Sequence, residues 1–108
     1  MLLCRILLMR RTHALVQVAM ALMSDQGGLH WGYELSRRAG VRSGVLYPIL
    51  TRMLEEGWLT DGWESAEEAR GRPPRRYYQL TDRGRRELGG LLDTAHLDPR
   101  FAALFGVT

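Results

Sequence analysis

The 108-residue chain is long enough for one domain, and its 45% hydrophobic and 25% charged residues argue against a disordered protein. The net charge is only +3, yet all fifteen basic residues are arginines, and they are unevenly placed. Residues 1–50 carry +4, residues 51–69 carry −5 and residues 70–86 carry +6. Because the planar guanidinium group suits contact with phosphate and guanine, these basic blocks favour nucleic acid as a binding partner.

The composition also excludes several other classes of protein. The single cysteine, Cys4, cannot form an internal disulfide, and no Cys or His spacing is typical of a metal site, so we expect no cofactor and a cytoplasmic location. Residues 1–9 are apolar except for Arg5, and Arg10 follows at once, so the apolar run is well short of the roughly 20 residues that span a membrane. We interpret residues 1–11 as an N-terminal extension, either upstream of a true start at Met9 or adding a helical turn to an interface.

The first half of the chain predicts two helices. Residues 12–24 place apolar side chains at the i, i+3, i+4 spacing of an amphipathic helix, and Thr12 can cap its start. The stretch DQGGLHWG ends this helix. A short extended piece at 29–31 precedes a second helix at 32–39, which Gly40 stops.

A third helix is predicted from residue 44 to residue 56, with Ser43 as its cap and Gly57 as its stop. One face of this helix is apolar, with Leu46, Ile49, Leu50, Met53 and Leu54 at helical spacing. Pro48 lies past the first turn, so we expect a slight bend or a loose first turn there.

The chain changes character after Gly57. The stretches WLTDGWE and RRYYQLT are rich in aromatic residues and are separated by a long polar tip, which predicts a β-hairpin. A last helix is expected from Thr81 or Asp82 to His96. The predicted fold is therefore mainly α with a small β-hairpin, a winged helix-turn-helix with N- and C-terminal dimerisation helices. Residues 12–81 would form the DNA-binding domain, and residues 82–108 the dimerisation helix and tail.

The free face of the third helix has the features of a DNA-reading surface. Its first turns carry small or hydroxylated side chains, and its acids lie at the far end, so its positive N-terminus can approach a major groove. Arginines on the second helix and on the hairpin tip can contact phosphates. The predicted DNA-binding residues are Arg37, Arg38, Arg42, Ser43, Tyr47, Pro48, Thr51, Arg52, Arg70, Arg72, Arg75 and Arg76.

Three motifs carry a resemblance to a known family. HWGYEL, SGVLYPILTRMLEEGWL and GRPPRRYYQLTDRGRREL together resemble the PadR family of transcriptional regulators over residues 29–88. The resemblance implies a dimeric winged-helix protein, usually a repressor, in which Tyr47 and its neighbours read or clamp a double-stranded DNA operator. It also implies that the wing touches the DNA backbone or minor groove and that the terminal helices form a homodimer. Trp31 interrupts the family's HGYEL pattern. The family's long C-terminal effector and dimerisation segment is short here, which leaves a small-molecule effector possible but unsupported.

The sequence admits a rival interpretation and disfavours another. The exposed helix face could instead bind another protein, as in a winged-helix interaction module without specific DNA binding. An enzyme is disfavoured because no nucleophile, base and orienting acid come together by spacing.

We expect Trp31, Trp58 and Trp63 to pack in the core and the wing rather than to stack on bases.

Overall fold

The computed structural model describes residues 12–106 of the chain, so the interpretation of residues 1–11 as an extension lies outside the described residues. Helix α1 spans His13–Met23, and the Thr12 hydroxyl accepts a hydrogen bond from the Leu15 amide at 3.1 Å, as its predicted capping role requires. Helix α2 spans Gly32–Ala39 and ends at Gly40, whose φ of 69° is the left-handed conformation that glycine favours.

Helix α3 spans Ser43–Glu55 and continues through Pro48. The predicted capping role of Ser43 is wrong, because Ser43 is the first helical residue and Arg42 occupies the cap position without a side-chain hydrogen bond. The Arg42 carbonyl already accepts hydrogen bonds from the amides of Val45 at 2.9 Å and Leu46 at 2.8 Å, so the helix begins one residue earlier than expected.

The three helices share one core with the sheet. Its fully buried side chains come from the predicted apolar faces and include Leu22, Leu35, Leu46, Leu50 and Met53. The predicted apolar face of α3 is therefore confirmed, with Ile49 and Leu54 partly buried at its margins. Burying one face of α3 fixes which of its residues remain free for a partner.

The sheet has three antiparallel strands in the order β1-β3-β2. Strand β2 is Leu59–Trp63 and strand β3 is Arg76–Leu80, which confirms the predicted hairpin; we call residues 59–80 the wing. Strand β1, His30–Trp31, pairs with β3 and converts the hairpin into a three-stranded sheet. This pairing fastens the base of the wing to the start of α2.

The tip of the wing contains a one-turn helix that the sequence analysis did not predict. Helix α4 spans Ala66–Ala69, and a capping box between Ser65 and Glu68 satisfies its first amides. The tip is therefore folded rather than a plain extended loop.

Helix α5 spans Asp82–His96, with Thr81 as its cap, and a 3-10 helix at Pro99–Phe105 follows it. Gly84 lies against the Trp58 carbonyl, where an added Cβ would come within 2.0 Å of the oxygen, so the start of α5 packs tightly against the residue that precedes the wing. Phe101 is buried in a second small cluster with residues of α1 and α5. Within residues 12–106, no helix is both long enough and apolar enough to cross a membrane.

Candidate nucleic-acid interface

One face of α3 is exposed, from the cap residue Arg42 before the helix to Thr51 in its second half. The exposed residues include much of the predicted recognition set, namely Arg42, Ser43, Tyr47, Pro48 and Thr51. The helix dipole gives this end of α3 a partial positive charge that favours phosphate. Arg52 is partly buried further along the helix.

Tyr47 is placed by close contact with the start of α2. A Cβ added at Gly32 would lie 2.4 Å from the Tyr47 hydroxyl oxygen and 3.1 Å from the ring carbon that carries it. The phenol therefore occupies the space that a side chain at residue 32 would fill, while 44% of Tyr47 remains exposed. Gly32 of the HWGYEL motif therefore leaves the space that the side chain of Tyr47 on α3 occupies.

A cleft of about 550 Å³ opens between the start of α2, Tyr47 and the wing. Its lining includes Tyr33, Arg37, Tyr47, Trp63, Arg75 and Arg76. The structure therefore brings four of the predicted residues into one concave surface, from three different elements. The remaining predicted residues lie outside this cleft, on the outer face of α3, the outer end of α2 or the wing tip.

Arg76 is the most firmly held of the cleft arginines. Its Nε donates to Asp61 Oδ2 at 2.7 Å, and a terminal nitrogen pairs with the same oxygen. Its guanidinium carbon lies 5.9 Å from the ring centre of Trp63 and 5.3 Å from that of Tyr78. The Asp61 hydrogen bond raises the pKa of Arg76 above its ordinary value, so the side chain is a fixed cation.

Arg72 holds the wing tip together. Its two terminal nitrogens donate to the two oxygens of Glu64 at 2.5 and 2.9 Å, and the Arg75 amide donates to Glu64 at 2.9 Å. The Arg72 hydrogen bond, foremost, lowers the pKa of Glu64 to about 2. The Glu64 carboxylate is thus directed at Arg72 rather than outward, while Arg75 and Arg70 at the same tip have exposed side chains.

Arg38 is positioned by a buried histidine to which the sequence analysis assigned no partner. Neutral His30 can donate from Nε2 to the Asp25 carbonyl at 2.8 Å while its Nδ1 accepts from Arg38 at 2.8 Å. Burial lowers the pKa of His30, which agrees with that neutral tautomer. Arg37, one residue earlier, lies over the Tyr33 ring at 5.8 Å instead.

Two aromatic residues of the cleft were missed by the sequence analysis. Trp63 was expected to pack within the wing, but it is 64% exposed, whereas Leu59, on the same face of β2, is 3% exposed. The core covers only the start of that face, so the far end of the strand emerges beyond it. The alternation of side chains along β2 does not show where the core ends, so the exposure of Trp63 could not be predicted from it. The second missed residue, Tyr33, is 72% exposed at the first turn of α2. By contrast, Trp58 is buried and Trp31 packs edge-on against Tyr77, as expected.

Among residues 12–106, no three His, Cys, Asp or Glu side chains lie close enough together to hold a metal ion. The site consists of arginines, aromatic rings and a helix N-terminus. Such groups bind anionic and stacked ligands.

Comparison with known families decides the classification. Residues 21–90 match the model of the transcriptional regulator PadR-like family, which covers the second and third helices and the whole wing. The chain belongs to the PadR-like family. The predicted resemblance is thereby confirmed, and the family is one of transcriptional regulators rather than enzymes. A search of curated proteins gives no match.

Solved structures of PadR-family proteins share this fold. A PadR family transcriptional regulator from Eggerthella lenta is 27% identical, with a TM-score of 0.58 over 73% of this chain and 71% of that one. A PadR-like transcriptional regulator from Bacillus cereus is 26% identical, with a TM-score of 0.60 over 76% of this chain and 82% of that one. The predicted winged-helix fold of this PadR-like protein is therefore confirmed.

Proposed function

We propose that this PadR-like protein binds a specific double-stranded DNA operator as a homodimer and acts as a transcriptional repressor in the cytoplasm. The observation that carries the proposal is the exposed N-terminal half of α3 beside an arginine-lined wing. A buried face holds the helix in place, and its free end offers hydroxyls, a guanidinium group and backbone amides to a major groove.

The proposed roles divide between reading and holding the DNA. Base edges are read from the free face of α3, by Arg42, Ser43, Tyr47, Pro48 and Thr51, with Arg52 at its flank. Phosphates are held from α2 and the wing, by Arg37, Arg38, Arg70, Arg75 and Arg76. Arg72 contributes charge and, through Glu64, the shape of the tip.

The homodimer is proposed to form through the terminal helices, with residues 12–81 as the DNA-binding unit and residues 82–108 as the dimerisation segment. Leu97, at the end of α5, is an apolar residue of this segment that is 83% exposed. Two copies related by a two-fold axis would place their α3 helices in successive major grooves of a palindromic site.

Selection of bound duplexes from a random pool tests the proposal. A palindromic consensus is expected, together with an affinity that falls steeply as salt rises. Failure to enrich any duplex, with binding indifferent to salt, would contradict the proposal and favour the rival protein-interaction module.

A further inference from the structure

The segment that follows α5 packs back on its own chain. The 3-10 helix Pro99–Phe105, which we call the strap, contacts both α1 and α5. Its anchor is Phe101, which is 1% exposed and packs with Val16 of α1 and Ala95 of α5. The groove between the two helices, which we call the seam, is lined by apolar side chains of both, namely Val16, Met20, Leu91, Leu92 and Ala95. The strap therefore fills an apolar groove that the two terminal helices form together.

Polar and aromatic contacts fix the position of the strap on the seam. The ring of His13, at the start of α1, donates from Nε2 to the Arg100 carbonyl at 2.9 Å and meets Phe101 edge-on, with ring centres 5.0 Å apart. Near the end of the strap, Phe105 meets His96 of α5 edge-on, with ring centres 4.9 Å apart. Because the seam matches the strap in shape and in hydrogen bonding, the strap of a second copy would fit it equally well.

The closed strap leaves the terminal helices little apolar surface for a partner. Among the described residues of α1, α5, the strap and the link before it, Leu97 is the only large apolar side chain that is exposed. A standard protein–protein interface buries roughly 800 Å² on each partner, and homodimer interfaces are largely apolar. A dimer through the terminal helices therefore needs the apolar surface that the strap covers.

The link between α5 and the strap is short and can act as a hinge. Helix α5 ends at His96, and only Leu97 and Asp98 lie between it and the strap. Asp98 has an extended backbone, with φ of −91° and ψ of 120°, and a residue before a proline avoids the helical conformation. Helix α5 therefore cannot simply continue into the strap, so the strap moves as a separate body about this link.

We propose that the strap is exchanged between two copies of the chain, an inference that rests on the proposed homodimer. Closed on its own seam, the strap is an autoinhibitory contact that keeps the protein monomeric. Once open, it enters the seam of the partner, and the strap of the partner returns the contact by two-fold symmetry. Every contact of the closed strap is then made again between chains. The two links run side by side in the dimer, where Leu97, 83% exposed in the monomer, becomes covered.

Cross-linking shows directly on which chain the strap lies. His13 and Arg100 are exposed neighbours, so a His13→Cys/Arg100→Cys variant in a Cys4→Ser background can be joined by a short bifunctional thiol reagent. Without DNA, the cross-link should stay within one chain at concentrations where sedimentation shows a monomer. Where sedimentation shows a dimer, it should join two chains, which run at twice the mass on a denaturing gel. Thr60→Cys/Gln79→Cys, paired across the β2–β3 ladder, is the matched control and should stay within one chain throughout.

The rate of subunit exchange tests whether assembly requires the strap to open. Phe101→Ala removes a contact that is the same in the closed monomer and in the exchanged dimer, so the dimerisation constant should be unchanged. Opening then breaks one apolar contact fewer, so donor- and acceptor-labelled protein should mix about a hundredfold faster. Leu104→Ala, at a half-buried position of the strap, should accelerate mixing less, and Leu29→Ala, outside the seam, should mix at the wild-type rate. A tighter dimer in Phe101→Ala would mean that two emptied seams pair directly, and would overturn the exchange.

The outcomes separate the exchange from the proposed function. A dimer in which the cross-links stay within one chain overturns the exchange and leaves the homodimer standing. Protein that sediments as a monomer at every concentration, alone and on its selected operator, contradicts the homodimer and the exchange together. Failure to select any duplex, by a protein whose cross-links join two chains, contradicts the proposed DNA binding and leaves the exchange standing.

Discussion

Substitution of Gly32 by alanine should separate DNA binding from folding. The added Cβ would lie 2.4 Å from the Tyr47 hydroxyl oxygen, about 1 Å closer than ordinary van der Waals contact allows. The obstructing atom is the far end of a side chain that is 44% exposed, so the ring can swing outward without moving the backbone. The expected response is a displaced Tyr47 on an intact fold.

The magnitude follows from what the substitution changes. Alanine favours a helix over glycine by up to about 1 kcal/mol, which offsets the cost of displacing a half-exposed ring. The free energy of unfolding should therefore stay within about 1 kcal/mol of wild type. Loss of a good base or phosphate contact by Tyr47 costs about 1–3 kcal/mol, or about 5- to 150-fold in operator affinity.

Fluorescence anisotropy with labelled operator measures the affinity, and urea unfolding measures the stability. The double variant Gly32→Ala/Tyr47→Phe completes a mutant cycle, because removing the hydroxyl leaves 3.1 Å as the nearest contact of the new Cβ. Gly27→Ala, where the added Cβ meets nothing within 4 Å, is the matched control. Wild-type affinity in Gly32→Ala would refute the argument, since the placement of Tyr47 would then be irrelevant to binding.

Two further predictions concern stability. Because burial lowers the pKa of His30, the unfolded chain gains a proton there before the folded protein does, so stability should fall as pH drops below about 6.5. In urea unfolding, the free energy of unfolding of His30→Gln should not show this fall below about pH 6.5. A His30→Gln variant with the same pH dependence as the wild type would contradict the prediction. Gly84→Ala should cost about 2–3 kcal/mol, because its Cβ meets the Trp58 carbonyl at 2.0 Å. Gly90→Ala, where the added Cβ meets nothing within 4 Å, should raise the free energy of unfolding by up to about 1 kcal/mol. Equal thermal midpoints for the Gly84→Ala and Gly90→Ala variants would refute this prediction.

The sequence predicted the helices well because their signals are local. Apolar spacing and the stops at Gly40 and Gly57 place α1, α2 and α3 within about a residue of their ends. The error at Ser43 arose because Arg42 can occupy the cap position without a capping side chain. The three-stranded sheet was missed because the pairing of β1 with β3 joins residues far apart in sequence.

The site was harder to predict than the fold. A helical face can be read from spacing, so the exposed half of α3 was predictable. The cleft depends on how the wing folds back toward α2, which no local pattern encodes. For the same reason the sequence predicted that Trp63 is packed, whereas it is exposed. The hydrogen bond between Arg72 and Glu64 could not be predicted from the sequence either. Helix α4, by contrast, has a local signal in the sequence, the Ser65-x-x-Glu68 capping box.

The most direct test of the central claim, that the free face of α3 reads the operator, is the ratio of affinities for operator and random DNA. Arg42→Gln, at the start of α3, should lower this ratio by about 5- to 150-fold, which corresponds to about 1–3 kcal/mol of binding free energy. Arg75→Gln, on the wing, should lower both affinities alike and leave the ratio unchanged. Contradiction would come from an Arg42→Gln variant that keeps the wild-type ratio, or from a wild-type protein that binds the selected operator no better than random DNA.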